Sequence, residues 1–189
     1  MTSNERIAAL LAAHQPADGK EAADIQTIKR MLSETDNLMD RHYPTGHVTG
    51  SALVLDAGSG RFLLHFHKKL SRWLQFGGHA EAEESDPAQT ALREAREESG
   101  LPDLRLLSDQ PLDIDVHVIP ARGDQPEHLH LDFRYGLITK LPDALLVGEG
   151  ESDRWRWFTM EEIRLQQIVL DRALWRLIAK ATALLQMGQ

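Results

Sequence analysis

Near the amino end, apolar residues recur three and four apart. Residues 5–13 and 21–40 both show this helical spacing, with Ile25, Ile28, Leu32 and Leu38 near one stripe, and a break between Pro16 and Gly19 separates the two segments. A helical hairpin is predicted. From His47 the texture changes: residues 48–55 are β-branched and apolar, 56–60 are turn-like, and 61–66 are apolar again, which predicts a β-hairpin. Residues 113–119 and 129–138 also read as strands, separated by a polar loop over 121–128 that contains Gly123 and Pro126. One strong helix lies between these strand pairs. Asp86 stands as its N-cap, Pro87 at its first position, Gln89 where a capping box needs it, and Gly100 as its C-terminal stop. Residues 155–158 form a short predicted strand and 160–185 predicted helices, with no internal repeat. Mixed strands and helices around one central helix predict an α+β fold: one domain over 44–189 with a helical extension over 1–43.

Composition narrows the partners. A chain of 189 residues, 42% hydrophobic and 26% charged, is long enough for one well-buried domain and has an ordinary globular balance. The first apolar run, 7–13, is too short to span a bilayer and follows Glu5, so neither an export signal nor a membrane anchor is expected. The absence of cysteine excludes disulfides, thiolate metal sites and a cysteine nucleophile, and is compatible with a cytoplasmic location. With a net charge of -8 and no Lys/Arg stripe, a nucleic-acid polymer is not an expected partner. An anionic substrate would need a bound cation to attract it.

The chemistry concentrates between Gly77 and Leu101. On a helix, Glu94, Glu97 and Glu98 gather their carboxylates on one face. Such a face is usually only solvated. Here the opposite face carries Ala91, Leu92 and Ala95, which packs the helix and holds the acidic side rigid. Just before it, Gly77-Gly78 reads as a turn whose missing side chains let backbone carbonyls approach a ligand. Carboxylate oxygens with a carbonyl make a hard oxygen site suited to Mg2+ or Mn2+.

Residues 78–101 resemble the Nudix box, in which a Gly and a Glu separated by five residues precede Arg-Glu, an aliphatic residue, any residue, Glu-Glu, any residue, Gly and an aliphatic residue. Gly78 and Glu84 match the first spacing; Arg93, Glu94, Glu97, Glu98, Gly100 and Leu101 match the last block, with Ala95 as a small aliphatic. One departure is the eight residues 85–92, where the family pattern has seven. Because Asp86 and Pro87 start the helix, the extra residue is expected to swell the preceding loop and spare the glutamate spacing. Whether Glu83 or Glu84 takes the upstream position stays open.

The resemblance implies an α/β/α sandwich with a mixed sheet and a metal-dependent hydrolase of diphosphate linkages in nucleoside diphosphate-like molecules. Oxidised nucleoside triphosphates, nucleotide sugars, ADP-ribose and dinucleoside polyphosphates are all within the class. It further implies Glu97 and Glu98 as principal metal ligands, Glu94 as ligand or proton acceptor, the Gly78 carbonyl in the inner site, and Arg93 as a structural member of the catalytic set.

Other residues are candidates for substrate contact. His128, His130 and Asp132 alternate with Leu129, Leu131 and Phe133, so one strand face is polar and either lines a cleft or meets water. A His-x-His zinc pair is conceivable there, but the sequence shows no third ligand. Arg134 shares that face, as a phosphate contact or a salt bridge. Trp73, before the glycines, either packs in the core or stacks on a base, and His79 reaches phosphate or metal or is simply an exposed loop residue. Glu149 and Glu151 resemble a late loop that supplies an extra carboxylate base. The amino-terminal helices fit either a homodimer interface or a cover for a core edge.

Competing classes fare less well. A catalytically silent nucleotide sensor on the same fold is the main alternative, although it has no need of the complete glutamate set. A diphosphate-ester isomerase is associated with a cysteine this chain lacks. No P-loop and no Gly-x-Ser-x-Gly stretch is present.

Overall fold

The apolar and alternating segments come together as one mixed eight-stranded sheet. A computed structural model describes residues 1–146 and 152–187. Along the chain come α1 (Ser3–Ala13) and α2 (Gly19–Met31), then β1 (Gly46–Asp56), β2 (Phe62–His67), β3 (Arg72–Leu74) and β4 (Phe76–His79), then α3 (Pro87–Ser99). There follow β5 (Arg105–Leu106), β6 (Asp113–Ile119), β7 (His128–Thr139), β8 (Ser152–Phe158), α4 (Met160–Leu165) and α5 (Arg172–Met187).

The parallel pair β1 and β7 forms the centre, in register from Gly46↔Leu129 to Asp56↔Thr139. β1 also pairs antiparallel with β4 along its first half and with β2 near its end. Because β1 is buried along its whole length, both of its faces must be apolar or internally bonded. Val48, Ala52 and Val54 meet Ala88, Ala91 and Ala95 of α3 on one side. Leu53 and Leu55 meet Phe158, Leu174, Leu177 and Ile178 on the other. The result is helix, sheet, helix in three layers, the α/β/α arrangement expected.

The amino-terminal helices are part of this packing. Ile7, Leu10, Ile25 and Ile28 join the same buried cluster as Val48 and Ala91. Arg6 Nε reaches Asp86 Oδ2 at 2.6 Å, which ties α1 to the cap of α3. The second helix ends sooner than its periodicity suggested, at Met31 rather than 40. Residues 33–37, Ser-Glu-Thr-Asp-Asn, favour local side-chain bonds over helix continuation. Leu38 is still buried, held from outside the helix by Asn4, whose Oδ1 accepts from the Leu38 N–H at 2.9 Å.

Gly77-Gly78 is another correction: the expected turn is strand β4, with Gly77 opposite Ser51 and Gly78 opposite Gly50. Two residues without side chains let this strand lie close against β1 and α3. No helix among the described residues is long and apolar enough to cross a membrane.

Candidate active site

Local sequence fixes α3. Asp86 and Gln89 form the reciprocal capping box, Pro87 occupies the first turn, and Gly100 ends the helix in the left-handed conformation at φ 67°. The helix runs unbroken through Glu94, Glu97 and Glu98, so the extra residue of the motif is absorbed before its catalytic half.

Arg93 organises the acidic side. Its Nε donates to Glu84 Oε1 at 2.9 Å, its Nη1 to Glu94 Oε1 at 3.0 Å and Glu97 Oε2 at 3.1 Å, and its Nη2 to the His79 carbonyl at 2.8 Å. One planar guanidinium thus locks the end of β4, the loop and the helix together. Glu84, not Glu83, is the loop glutamate in this network, and it also accepts from Thr90 Oγ1 at 2.8 Å. Burial raises the Glu84 carboxyl, but the Arg93 and Thr90 hydrogen bonds bring it net below the usual carboxylate value. Glu94 goes the other way. Burial holds its carboxyl above the ordinary value, with Arg93 only partly offsetting it.

Gly78 lies directly against Glu94: a Cβ on residue 78 would collide with the Glu94 carboxylate. The close approach leaves only oxygen donors between β4 and α3 at this point, the kind of ligand a hard cation takes. Glu97 is the most exposed of the three glutamates, and Glu98 stands 3.5 Å from His65 Nδ1 through its Oε2. The oxygen donor set fits Mg2+ or Mn2+.

Two connected spaces flank β4. A pocket of about 360 Å3 is bordered by Arg41, Glu81, Arg93 and Glu94, and a cleft of about 880 Å3 by Lys20, Thr49, Ser51, Asp115 and Asp132. Gly77, Gly78, His79 and Glu98 border both.

The floor of the cleft is a polar patch laid out by strand register. His47, His130 and His117 face each other across β1, β7 and β6, and beside them run Thr49, Asp132 and Asp115. Asp132 accepts from Thr49 Oγ1 at 3.0 Å, Ser51 Oγ at 2.7 Å and Arg134 Nε at 2.9 Å. Asp115 accepts from Arg134 Nη2 at 3.1 Å and Lys20 Nζ at 2.5 Å. Burial raises the Asp115 carboxyl, but His117, Arg134 and Lys20 together pull it far below its ordinary value. Burial depresses His47 and His79 to about 4, and His130 further still, so these rings are neutral at pH 7.

The predicted residues separate on these coordinates. Gly78, His79, Glu97, Glu98, His130 and Arg134 border the cleft, and Glu94 and Arg93 the adjoining pocket. Trp73 does not reach it. On β3, Arg72 and Leu74 face the cleft, so strand alternation turns Trp73 the other way, against Phe158 at 4.9 Å and Phe66 at 5.5 Å. Arg134 is a buried partner of Asp132 and Asp115 rather than a phosphate ligand held open. His128 is buried, stacked on His47 at 5.1 Å, and bonded through Nδ1 to the Pro126 carbonyl at 2.9 Å. Glu149 and Glu151 lie outside the described residues.

His47, His65, Lys20 and Asp115 were not anticipated. Of these, His65 and Asp115 carry a faint signal, a polar residue at period two inside an apolar strand, whereas Lys20 and His47 carry none.

A family model described as the NUDIX domain matches residues 46–180. No curated protein matches the chain. Among solved structures, a Listeria monocytogenes protein described in NUDIX-hydrolase terms is 17% identical, covering 75% of this chain and 95% of its own, with a TM-score of 0.57. The C. elegans Ap4A hydrolase, in a binary complex, is 19% identical over 74% of this chain and 98% of its own, TM-score 0.52. The NUDIX domain of Shewanella oneidensis NrtR, complexed with ADP ribose, is 16% identical over 82% and 96%, TM-score 0.51. At these identities the shared property is the fold.

Proposed function

The chain belongs to the NUDIX domain family and is a pyrophosphohydrolase of that kind, and from that premise we propose that it cleaves the diphosphate linkage of a nucleoside diphosphate-like small molecule in a Mg2+- or Mn2+-dependent reaction at the acidic face of α3. The observation that carries this reading is the locked set of Arg93, Glu94, Glu97 and Glu98 beside Gly78.

Glu97 and Glu98 would hold the metal, with Glu94 and the Gly78 carbonyl beside them. When bound, such an ion neutralises phosphate charge and acidifies water. Glu94 is placed to accept a proton. Its largely buried carboxylate, held by Arg93, would take the proton from the attacking water at a carboxylate oxygen. The water oxygen bonds to one phosphorus as the P–O bond to the bridging oxygen breaks, so both products end in phosphate. Arg93 positions Glu94 and Glu97. The cleft beyond Glu98, with Lys20 and the polar floor at its rim, receives the rest of the molecule.

The test is hydrolysis of a panel of oxidised nucleoside triphosphates, nucleotide sugars, ADP-ribose and dinucleoside polyphosphates, run in 18O-water and followed by 31P NMR. One class of compound is expected to be cleaved at the anhydride with one 18O incorporated, activity vanishing with chelator and returning with Mg2+ or Mn2+. Turnover that persists in chelator would overturn the metal-dependent reading.

A further inference from the structure

Three imidazoles from three strands converge at the end of the cleft. His47 on β1 is the direct cross-strand partner of His130 on β7, and His79 ends β4 opposite Thr49, two residues further along β1. One ring nitrogen from each lies within 4.8 Å of the other two. His79 Nε2 and His130 Nε2 are 3.2 Å apart.

Packing alone does not account for this arrangement. A buried imidazole carries a donor and an acceptor and ordinarily satisfies both. His47 is only 1% exposed; one of its nitrogens has just the Tyr43 backbone beside it, outside full hydrogen-bond geometry, and the other has no partner. His79 and His130 meet nitrogen to nitrogen, so one can donate to the other, but that bond leaves nothing for His47. A single cation between the rings accepts a lone pair from all three.

We propose that His47, His79 and His130 form a three-nitrogen site for a divalent transition-metal ion of the zinc class, distinct from the carboxylate site on α3. The donor set decides the ion: neutral imidazoles suit zinc and its transition-metal neighbours, whereas Mg2+ and Ca2+ take oxygen. Spacing agrees. With metal–nitrogen bonds of about 2.0–2.1 Å, the edge of a tetrahedral site is about 3.3 Å, close to the His79–His130 separation.

The surroundings hold the rings in place. His128 stacks on His47 and is itself anchored on the Pro126 carbonyl. His117, bonded through Nδ1 to Asp115 Oδ2 at 3.2 Å, stands 5.6 Å from the His130 ring centre. Three protein ligands leave one position of a tetrahedral ion open, as in zinc sites that bind water or substrate. His79 and His130 border the cleft, so the site lies beside it. His79 also follows Gly78 directly, so an ion here fixes the strand end that carries Gly78 to Glu94. The site does not depend on the hydrolase reading and stands or falls separately.

The experiment adds Co2+ and, in parallel, Zn2+ to chelator-treated full-length protein. With Co2+, visible d–d bands of a nitrogen-ligated, low-coordinate ion should develop up to one equivalent, in wild type and in the Glu97→Gln/Glu98→Gln double variant alike. His47→Phe and His130→Phe should lose them. With Zn2+, 15N spectra of wild type should show ring-nitrogen shifts for His47, His79 and His130 together, a readout that does not depend on whether either variant folds. Unmoved imidazole nitrogens at saturating Zn2+, or Co2+ bands lost with the glutamates and kept in His47→Phe, would overturn the site.

Discussion

Arg93 on α3 donates through Nε to Glu84 in the preceding loop at 2.9 Å, and the same guanidinium holds Glu94 and Glu97. The loop glutamate thus sets the position of two carboxylates on the helix through one cation. Replacing Glu84 by Gln should relax the whole array, while Glu83→Gln, outside the network, should change little. We expect Glu84→Gln to cost about 1–3 kcal/mol in unfolding free energy and to lower kcat by at least about tenfold, one power of ten in rate being about 1.4 kcal/mol. Denaturant unfolding and steady-state kinetics on both variants check this, and equal effects of the two would contradict it.

Arg134 is the cation for buried Asp132 and shares Asp115 with Lys20, with Asp113 3.7 Å away. Arg134→Met should therefore strand the Asp132 carboxylate in the interior and destabilise the fold by about 3–5 kcal/mol. A phosphate-binding arginine would instead raise KM and leave unfolding nearly unchanged. Thermal unfolding of the variant, with and without substrate, separates the two.

Burial lowers the folded-state pKa of His47 to about 4, against about 6.5 in an unfolded chain. The unfolded state then binds the proton more readily, so stability is full above pH 6.5 and is lost as pH falls toward 4. The slope from this one group approaches about 1.4 kcal/mol per pH unit between those limits. Chelator-treated His47→Phe should show a flatter stability profile than wild type over that window. An unchanged slope would mean that another group carries the acid sensitivity.

The catalytic helix was legible because its determinants are local. Asp86, Pro87, Gln89 and Gly100 mark its ends within one segment, and a three- and four-residue spacing is enough to gather Glu94, Glu97 and Glu98. β4 was not legible. Two consecutive glycines read as a turn by local preference, and only pairing with Ser51 and Gly50 makes them a strand. The end of α2 was missed for the opposite reason, since the apolar position of Leu38 is filled by a chain that has already left the helix.

The histidine cluster shows where sequence runs out. His128 and His130 look like two ligands without a third, and the missing partners, His47 and His79, lie far away in sequence. They arrive through the parallel register of β1 on β7 and the antiparallel register of β4 on β1, neither of which any local pattern encodes. Trp73 was ambiguous on the same ground, because the face it takes is set by which strands flank β3.

The most direct test of the central claim is the rate of phosphoanhydride hydrolysis by Glu97→Gln and Glu98→Gln beside wild type, at saturating Mg2+ or Mn2+, on whichever diphosphate the wild type cleaves. Each variant should stay folded and lose at least about 100-fold in kcat, the scale of removing one charge-stabilising group. Wild-type rates in both variants, or tight metal-independent nucleotide binding by wild type with no turnover on any compound, would contradict the account and leave a sensor in its place.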